Sequence, residues 1–257
     1  MANKKKEKTK IDIILPNYNS SEYIIKTIKS ILKQTYNNWK LIIVDDCSDK
    51  KTIKILKQIS NNKNIKVFFL NKNHGAGFCR NLAIKKSNSP YIAFIDSDDT
   101  WKKDKLKKQI DFMKKNNFLF SYTNYKTFDE KNRKVDNPLK LDYFNFLRNT
   151  SIATSTMMIK RNIIGNTKFT NTKICEDFFF KCKLLKKVGY AFCLDQYLTN
   201  YRIRKNSLQS NNLKNFYWIW KINKDYNKLN IFDNFISLMF ISFNSLKKYG
   251  GKNLFKF

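Results

Sequence analysis

The chain has 257 residues, 42% of them hydrophobic, with 22 Phe and 13 Tyr, which is enough apolar mass for one large α/β domain and too much for a disordered chain. Its 51 Lys and Arg against 20 Asp and Glu give a formal charge of +31, which speaks of anionic partners and not of fold. Five cysteines, odd in number and without a CxxC pair, and a single histidine, His74, argue against a disulfide framework, a zinc site and histidine-based nucleophilic catalysis.

The opening MANKKKEKTK is basic but leads into no apolar signal-type segment, so the expectation is a cytoplasmic protein. Ile11–Leu15 reads as a short apolar strand that ends in Pro16-Asn17-Tyr18-Asn19. Asn19 and Glu22 have capping-box spacing, and Ile24, Ile28, Ile31 and Leu32 form one helical stripe after them. Leu41–Val44 is a second strand, apolar throughout like strands buried on both faces of a parallel sheet. It ends in Asp45 and Asp46, one of which is expected to cap the following helix, marked by Ile53, Leu56 and Ile59. Ile65–Leu70 is a third strand, followed by a loop over 71–77 with Gly75 and Gly77 and a helix through Arg80 to Lys86.

Tyr91–Ile95 is a fourth strand, and it stops at three carboxylates within four residues, Asp96, Asp98 and Asp99. Carboxylates so close repel one another, and a hard divalent cation such as Mg²⁺ or Mn²⁺, sharing its remaining positions with substrate phosphates, would neutralise them. The plainer alternative makes Asp99 or Thr100 the cap of a helix starting near Lys102 and carrying Leu106, Ile110 and Met113. Phe118–Tyr122 is a fifth strand.

Strands alternating with helices through short loops predict right-handed βαβ units and a mostly parallel, Rossmann-like sheet flanked by helices. Pro16–Asn19, Asp45–Asp46, the Gly75/Gly77 loop and Asp96–Asp98 all follow strand ends, so they converge on one rim, where such sheets bind ligands. After Thr123 the pattern loosens: Tyr125–Val135 reads as a hairpin or loop, Leu141–Arg148 as a short helix and Ser155–Lys160 as a strand. Glu176–Lys187 is a helix opened by two acids, Tyr190–Leu194 and Leu198–Ile203 are short strands, and two amphipathic helices follow from Leu213.

In order and spacing, IILPNYN (13–19), QTYNNWKLIIVDDCSD (34–49), NHGAGFCRNLAI (73–84), YIAFIDSDDTW (91–101), ICEDFFFKCKLL (174–185) and YRIRKNSLQS (201–210) resemble the family 2 nucleotide-sugar glycosyltransferases, which have the GT-A fold. The resemblance implies an inverting transfer from a nucleotide sugar, a UDP-sugar, to a hydroxyl of a glycan or lipid-linked acceptor in cell-surface polysaccharide synthesis, with Mn²⁺ or Mg²⁺ as cofactor. Carried over by position, Tyr18 stacks on the base and Asp46 accepts the uracil imide hydrogen, with Pro16 beside them. Asp96 contacts the ribose, Asp98 binds the metal, Arg80 lies near the nucleotide or phosphates, and Asp177 is the catalytic base. Where many relatives carry His in the last segment this chain has Arg204, which cannot ligate a metal but can neutralise diphosphate together with Arg202; its plainer reading is a surface arginine. Each position also has a plainer reading: Tyr18 as a core aromatic, Arg80 as a solvated helix residue, the two glycines as turn residues, and Glu176 and Asp177 as acids favoured by a helix dipole.

The division expected is a catalytic domain over 1–210, with a nucleotide-binding half at 9–123 and an acceptor-binding half at 124–210, and a helical appendage over 211–257. In the appendage Trp218, Trp220, Phe232, Phe235, Leu238, Met239 and Phe243 alternate with lysines such as Lys247, Lys248, Lys252 and Lys256. That composition suits either a helix resting on the anionic inner face of the cytoplasmic membrane or one that covers the sheet. Two other functions have signatures of their own. A sugar-nucleotide pyrophosphorylase would want a Gly-rich loop with Lys or Arg after the first strand, and a nucleic-acid-binding protein would want clustered Arg; the chain has neither.

Overall fold

A computed structural model describes residues 9–128, 132–203 and 212–249. The first half alternates without interruption: β1 (Ile11–Asn17), α1 (Ile24–Leu32), β2 (Trp39–Asp45), α2 (Lys50–Ile59), β3 (Ile65–Phe69), α3 (Ala76–Lys86) and β4 (Tyr91–Phe94). Then come β5 (Thr100–Trp101), α4 (Lys105–Lys115), β6 (Phe120–Phe128), β7 (Lys134–Val135), β8 (Lys140–Leu141), α5 (Tyr143–Asn149), β9 (Met158–Lys160), α6 (Glu176–Val188), β10 (Ala191–Arg202), α7 (Asn212–Asp225) and α8 (Ile231–Tyr249).

The ten strands among the described residues join one sheet, ordered β3-β2-β1-β4-β9-β6-β10-β5, with β7 added to β6 and β8 to β10. β1 pairs in parallel with β2 and β4, β2 with β3, and β6 with β10, while β9 runs antiparallel between β4 and β6. Period-two alternation sorts the strand residues to two cores. Ile11, Ile13, Leu15, Leu41 and Ile43 face α1, α2 and α4, whereas Ile14, Ile42 and Val44 face α3, α5 and α6. Both faces are covered, which is why β1 and β2 are apolar throughout. The expected architecture, a mostly parallel α/β sheet between helices, is the one observed.

Several local expectations are corrected. Asn19 and Glu22 form no capping box; Asn19 sits at φ 45°, its Oδ1 accepts Asp49 N–H at 2.8 Å, and α1 begins after Tyr23 without a side-chain cap. Neither Asp45 nor Asp46 caps α2, because Asp49 does so through Thr52 N–H at 2.7 Å. The expected helix carrying Leu106, Ile110 and Met113 begins at Lys105, but neither Asp99 nor Thr100 caps it; Thr100–Trp101 instead pairs with Thr199 and Asn200 of β10. The strand expected over 155–160 is confined to Met158–Lys160, since Thr154–Thr156 makes a 3-10 turn. The two strands expected over 190–203 are one, β10, bulged between Leu194 and Thr199. Four cysteines are buried as expected, but Cys47 is exposed.

The approach of α3 to α6 is decided by one glycine. A Cβ on Gly77 would lie well inside contact distance of the Thr170 carbonyl oxygen and 3.1 Å from Glu176 Cγ, so Gly77 is a packing residue within α3 and not a turn glycine. Gly77→Ala is therefore expected to destabilise the protein by about 1–3 kcal/mol through overpacking. Urea denaturation measures this, and an unchanged midpoint would show that the two helices can part without cost.

Candidate active site

The carboxyl ends of β1, β2 and β4 lie side by side, so the residues after them share one rim. Ile95 N–H donates to Ile14 O at 3.0 Å, so alternate residues of β1 aim at β4. Pro16, two residues on, has its missing N–H on a side where β4 pairing has already stopped at Ile14–Phe94, and so it leaves no gap in the ladder. Tyr18, just beyond, is 51% exposed, which excludes the core-aromatic reading.

The adjacent aspartates at the end of β2 have separate duties. Asp45 is buried and accepts Asn17 Nδ2 and Ser48 Oγ, each at 2.6 Å, and Ser48 N–H at 3.1 Å. Asp46 accepts the backbone N–H groups of His74 and Gly75, both at 2.8 Å, and so ties the loop before α3 to the end of β2. Each of its oxygens has a further lone pair.

Arg80 is buried, against the solvated-helix reading, and reaches carboxylates on both sides. Nη2 lies 2.6 Å from Asp96 Oδ1 and Nη1 lies 2.5 Å from Glu176 Oε1. Burial works against the charged guanidinium, but Asp96, Glu176 and Asp177 outweigh it and raise its pKa. Burial also pushes Glu176 up against the pull of Arg80, because that one cation is shared among several acids. Thus Arg80 joins the turn after β4 to the start of α6, reaching Glu176 from 96 positions away in the chain.

Asp177, next to Glu176, keeps about 20% of its side-chain surface. Its Oδ2 accepts Thr154 Oγ1 and Lys181 Nζ, both at 2.5 Å. Burial would raise this carboxyl, but Lys181 and then Arg80 overcome it and lower it to about 2. Asp177 is ionised at neutral pH and faces solvent in part, as a base must. The first-turn position expected of both acids is observed, but their charges are met by side chains of Arg80 and Lys181 and not by the helix end alone.

After β4 the chain carries Asp96, Asp98 and Asp99 around a tight turn. Asp96 N–H donates to Ser155 Oγ at 3.0 Å, Asp98 O accepts Arg202 Nε at 3.2 Å, and Asp99 Oδ1 accepts Arg202 N–H at 2.8 Å. The other Asp99 oxygen is buried without a hydrogen-bond partner. Burial, then the charges of Asp98 and Asp96, push the Asp99 carboxyl well above its ordinary range. No cluster of three His, Cys, Asp or Glu side chains shaped to cage a metal occurs among the described residues. A cation that shares its coordination with a substrate diphosphate needs only one or two protein carboxylates, and this crowded acidic turn with an orphaned oxygen fits one.

Sequence reasoning missed three contributors. Thr154 holds Asp177. Ser155 receives Asp96 N–H on its hydroxyl and Trp101 Nε1–H on its carbonyl, at 2.8 Å. Lys181 was legible as the i+4 partner of Asp177; the Thr154–Thr156 turn carried no such signal. Arg204 lies outside the described residues, as do Lys252 and Lys256.

Residues 12–179 match the profile of the family described as Glycosyl transferase family 2. A Bacillus subtilis protein named as a glycosyltransferase of teichuronic acid biosynthesis, TuaG, is 37% identical over 224 residues, covering 85% of this chain and 89% of its own. The Escherichia coli UDP-Glc:alpha-D-GlcNAc-diphosphoundecaprenol beta-1,3-glucosyltransferase WfgD is 33% identical over 220 residues, covering 84% and 86%. Among solved structures, S. aureus TarS in complex with UDP-GlcNAc matches with a TM-score of 0.73 at 23% identity, over 93% of this chain and 73% of that one. The Pyrobaculum calidifontis mannosyltransferase PcManGT with GDP-Man and Mn²⁺ matches at 0.70 and 13% identity, over 93% and 74%. These last two likenesses speak for the fold. Neither the pyrophosphorylase nor the nucleic-acid alternative survives the match: the chain belongs to glycosyltransferase family 2, a family of inverting enzymes, and has the GT-A fold.

Proposed function

We propose that this glycosyltransferase takes a UDP-sugar on the rim of β1, β2 and β4, together with Mn²⁺ or Mg²⁺, and transfers the sugar to a hydroxyl of a glycan or lipid-linked acceptor in cell-surface polysaccharide synthesis. One observation carries the reading: Arg80 draws the turn that holds Asp96 and the helix start that holds Asp177 to a single side chain. The UDP-glucose donor and diphosphoundecaprenol-linked acceptor in the name of WfgD, and the UDP-GlcNAc held by TarS, support the substrate classes.

In this reading exposed Tyr18 stacks on the uracil beside Pro16, and Asp46 accepts the imide hydrogen on a lone pair its backbone donors leave unused. Asp96 contacts the ribose and is held for it by Arg80, Asp98 supplies the protein's carboxylate to the cation, and Arg204 neutralises diphosphate. The bound cation would supply positive charge for the departing diphosphate. Asp177 takes the acceptor hydroxyl's proton as that oxygen attacks the anomeric carbon, while the bond from that carbon to the diphosphate oxygen breaks on the opposite face. Residues 9–123 then serve the donor and 124–210 the acceptor, with 211–257 as an appendage. An acceptor carried on lipid would bring the enzyme to the inner face of the cytoplasmic membrane.

Calorimetry with UDP tests the donor site. Binding should strengthen with Mn²⁺ and lose that dependence in Asp98→Ala; affinity indifferent to metal in the unaltered protein would remove the proposed cation. Asp177→Asn should lower kcat by about 10²–10⁴-fold with UDP affinity nearly unchanged, because general-base catalysis typically supplies that factor. Near-normal turnover in sugar transfer by this variant would assign the base elsewhere.

Lys181→Met tests how Asp177 is tuned. In the unaltered protein a carboxyl at about 2 puts the acid limb of kcat/KM below the ordinary assay range. Burial is already the largest single influence on Asp177, and with Lys181 gone less opposes it, so the limb should move upward in pH. The same depressed carboxyl, against an unfolded value of about 3.9, contributes stability that is present above that value and is lost as pH falls towards 2. An unmoved limb in the variant would mean that Lys181 does not hold this charge.

A further inference from the structure

α8 is built inside out. Along its inner side Asn234 and Ser237 are 1% and 2% exposed, with Ile241 and Leu238 beside them, while Phe232, Phe235, Met239 and Phe243 are 72%, 62%, 53% and 65% exposed. These four, with Leu246, recur every three or four residues, so they form a single uncharged stripe roughly 21 Å long at 1.5 Å per residue. The helix is not free to roll this stripe inward. Asn223 Nδ2 donates to Asn234 Oδ1 at 3.1 Å and to Ser237 Oγ at 3.2 Å, and Asn227 Nδ2 donates to Asn223 Oδ1 at 2.9 Å. Ser237 Oγ donates to Leu147 O at 2.6 Å, and Asn244 Nδ2 to Arg148 O at 3.0 Å. A roll would break this buried network and strand its polar atoms, which costs more than exposing a phenylalanine. A contiguous apolar face held outward in this way has an occupant.

We infer that the α8 stripe seats the protein on an anionic lipid surface, with Phe232, Phe235, Met239 and Phe243 entering the interface between headgroups and acyl chains. Charge decides among occupants. At +31, two copies of this chain repel, whereas an anionic leaflet attracts it, and exposed Lys221, Lys224 and Lys228 lie on the neighbouring helix and turn. No helix among the described residues is long and apolar enough to cross a membrane, so the contact is a surface one. The placement also has a use. α8 is bonded to the end of α5, and the chain from Arg148 leads within a few residues to Thr154, which holds Asp177. The acceptor side of the site is thereby set next to the lipid surface, and this use, though not the binding, rests on the lipid-linked acceptor proposed above.

The test is flotation of the full chain with vesicles of phosphatidylglycerol and phosphatidylcholine, beside vesicles of phosphatidylcholine alone. The unaltered protein should float with the first and far less with the second. Phe235→Asp combined with Phe243→Asp should weaken partitioning by on the order of 100-fold, since two buried aromatic side chains are withdrawn. Both positions are exposed, so thermal unfolding and UDP calorimetry of the variant should match the unaltered protein. Equal flotation of variant and unaltered protein, or none by either, overturns the inference. So does a dimer in sedimentation velocity that the double variant dissociates. Flotation as expected without UDP binding in either form would instead sink the donor reading and leave the lipid surface standing.

Discussion

The site depends on a buried guanidinium. Arg80 reaches its position because α3 can lie close to α6, and α3 lies close because residue 77 has no side chain. Its two edges then meet Asp96, from the turn after β4, and Glu176, from the first turn of α6. A buried ion pair of this kind is weak evidence for stability when compared with apolar residues of the same volume, but removing one member leaves an uncompensated charge and costs about 3–5 kcal/mol. Such a group specifies geometry. Here it fixes the distance between the first of the crowded carboxylates, Asp96, and the helix start that presents Asp177.

Around that pair the acids are graded by their surroundings. Asp177 has a private lysine and a threonine hydroxyl and stays ionised. Glu176 shares its cation and is pushed up by burial, and Asp99, buried with an orphaned oxygen beside two more carboxylates, is pushed up by burial and by those charges. Environments that separate titratable groups in this way are where proton transfer and cation binding are divided among like residues.

Much of the fold was legible in the sequence. Apolar runs such as Leu41–Val44 cannot alternate in and out, so they announce a sheet covered on both faces, and the acids that follow them announce its functional edge. What stayed illegible was set by partners distant in the chain. Asn17 and Ser48 make Asp45 a structural residue and two loop amides claim Asp46, and no spacing rule distinguishes these neighbours. Ser155, one hydroxyl in a Ser- and Thr-rich stretch, becomes a junction only because β9 turns back between β4 and β6. Helical periodicity in α8 revealed a stripe, but periodicity is blind to which side meets the protein, and there Asn234 and Ser237 turned inward with Leu238 and Ile241 while the phenylalanine stripe turned out.

The hold of Asp46 on the amides of His74 and Gly75 has a thermodynamic consequence. A glycine-containing loop at a nucleotide site ordinarily forfeits conformational freedom when its ligand arrives, and that loss is subtracted from affinity. In this chain the freedom has been surrendered during folding, because the carboxylate that would read the base already anchors the loop. For a donor docking on this loop as proposed above, less backbone would remain to freeze on association, and less contact free energy would be lost to ordering.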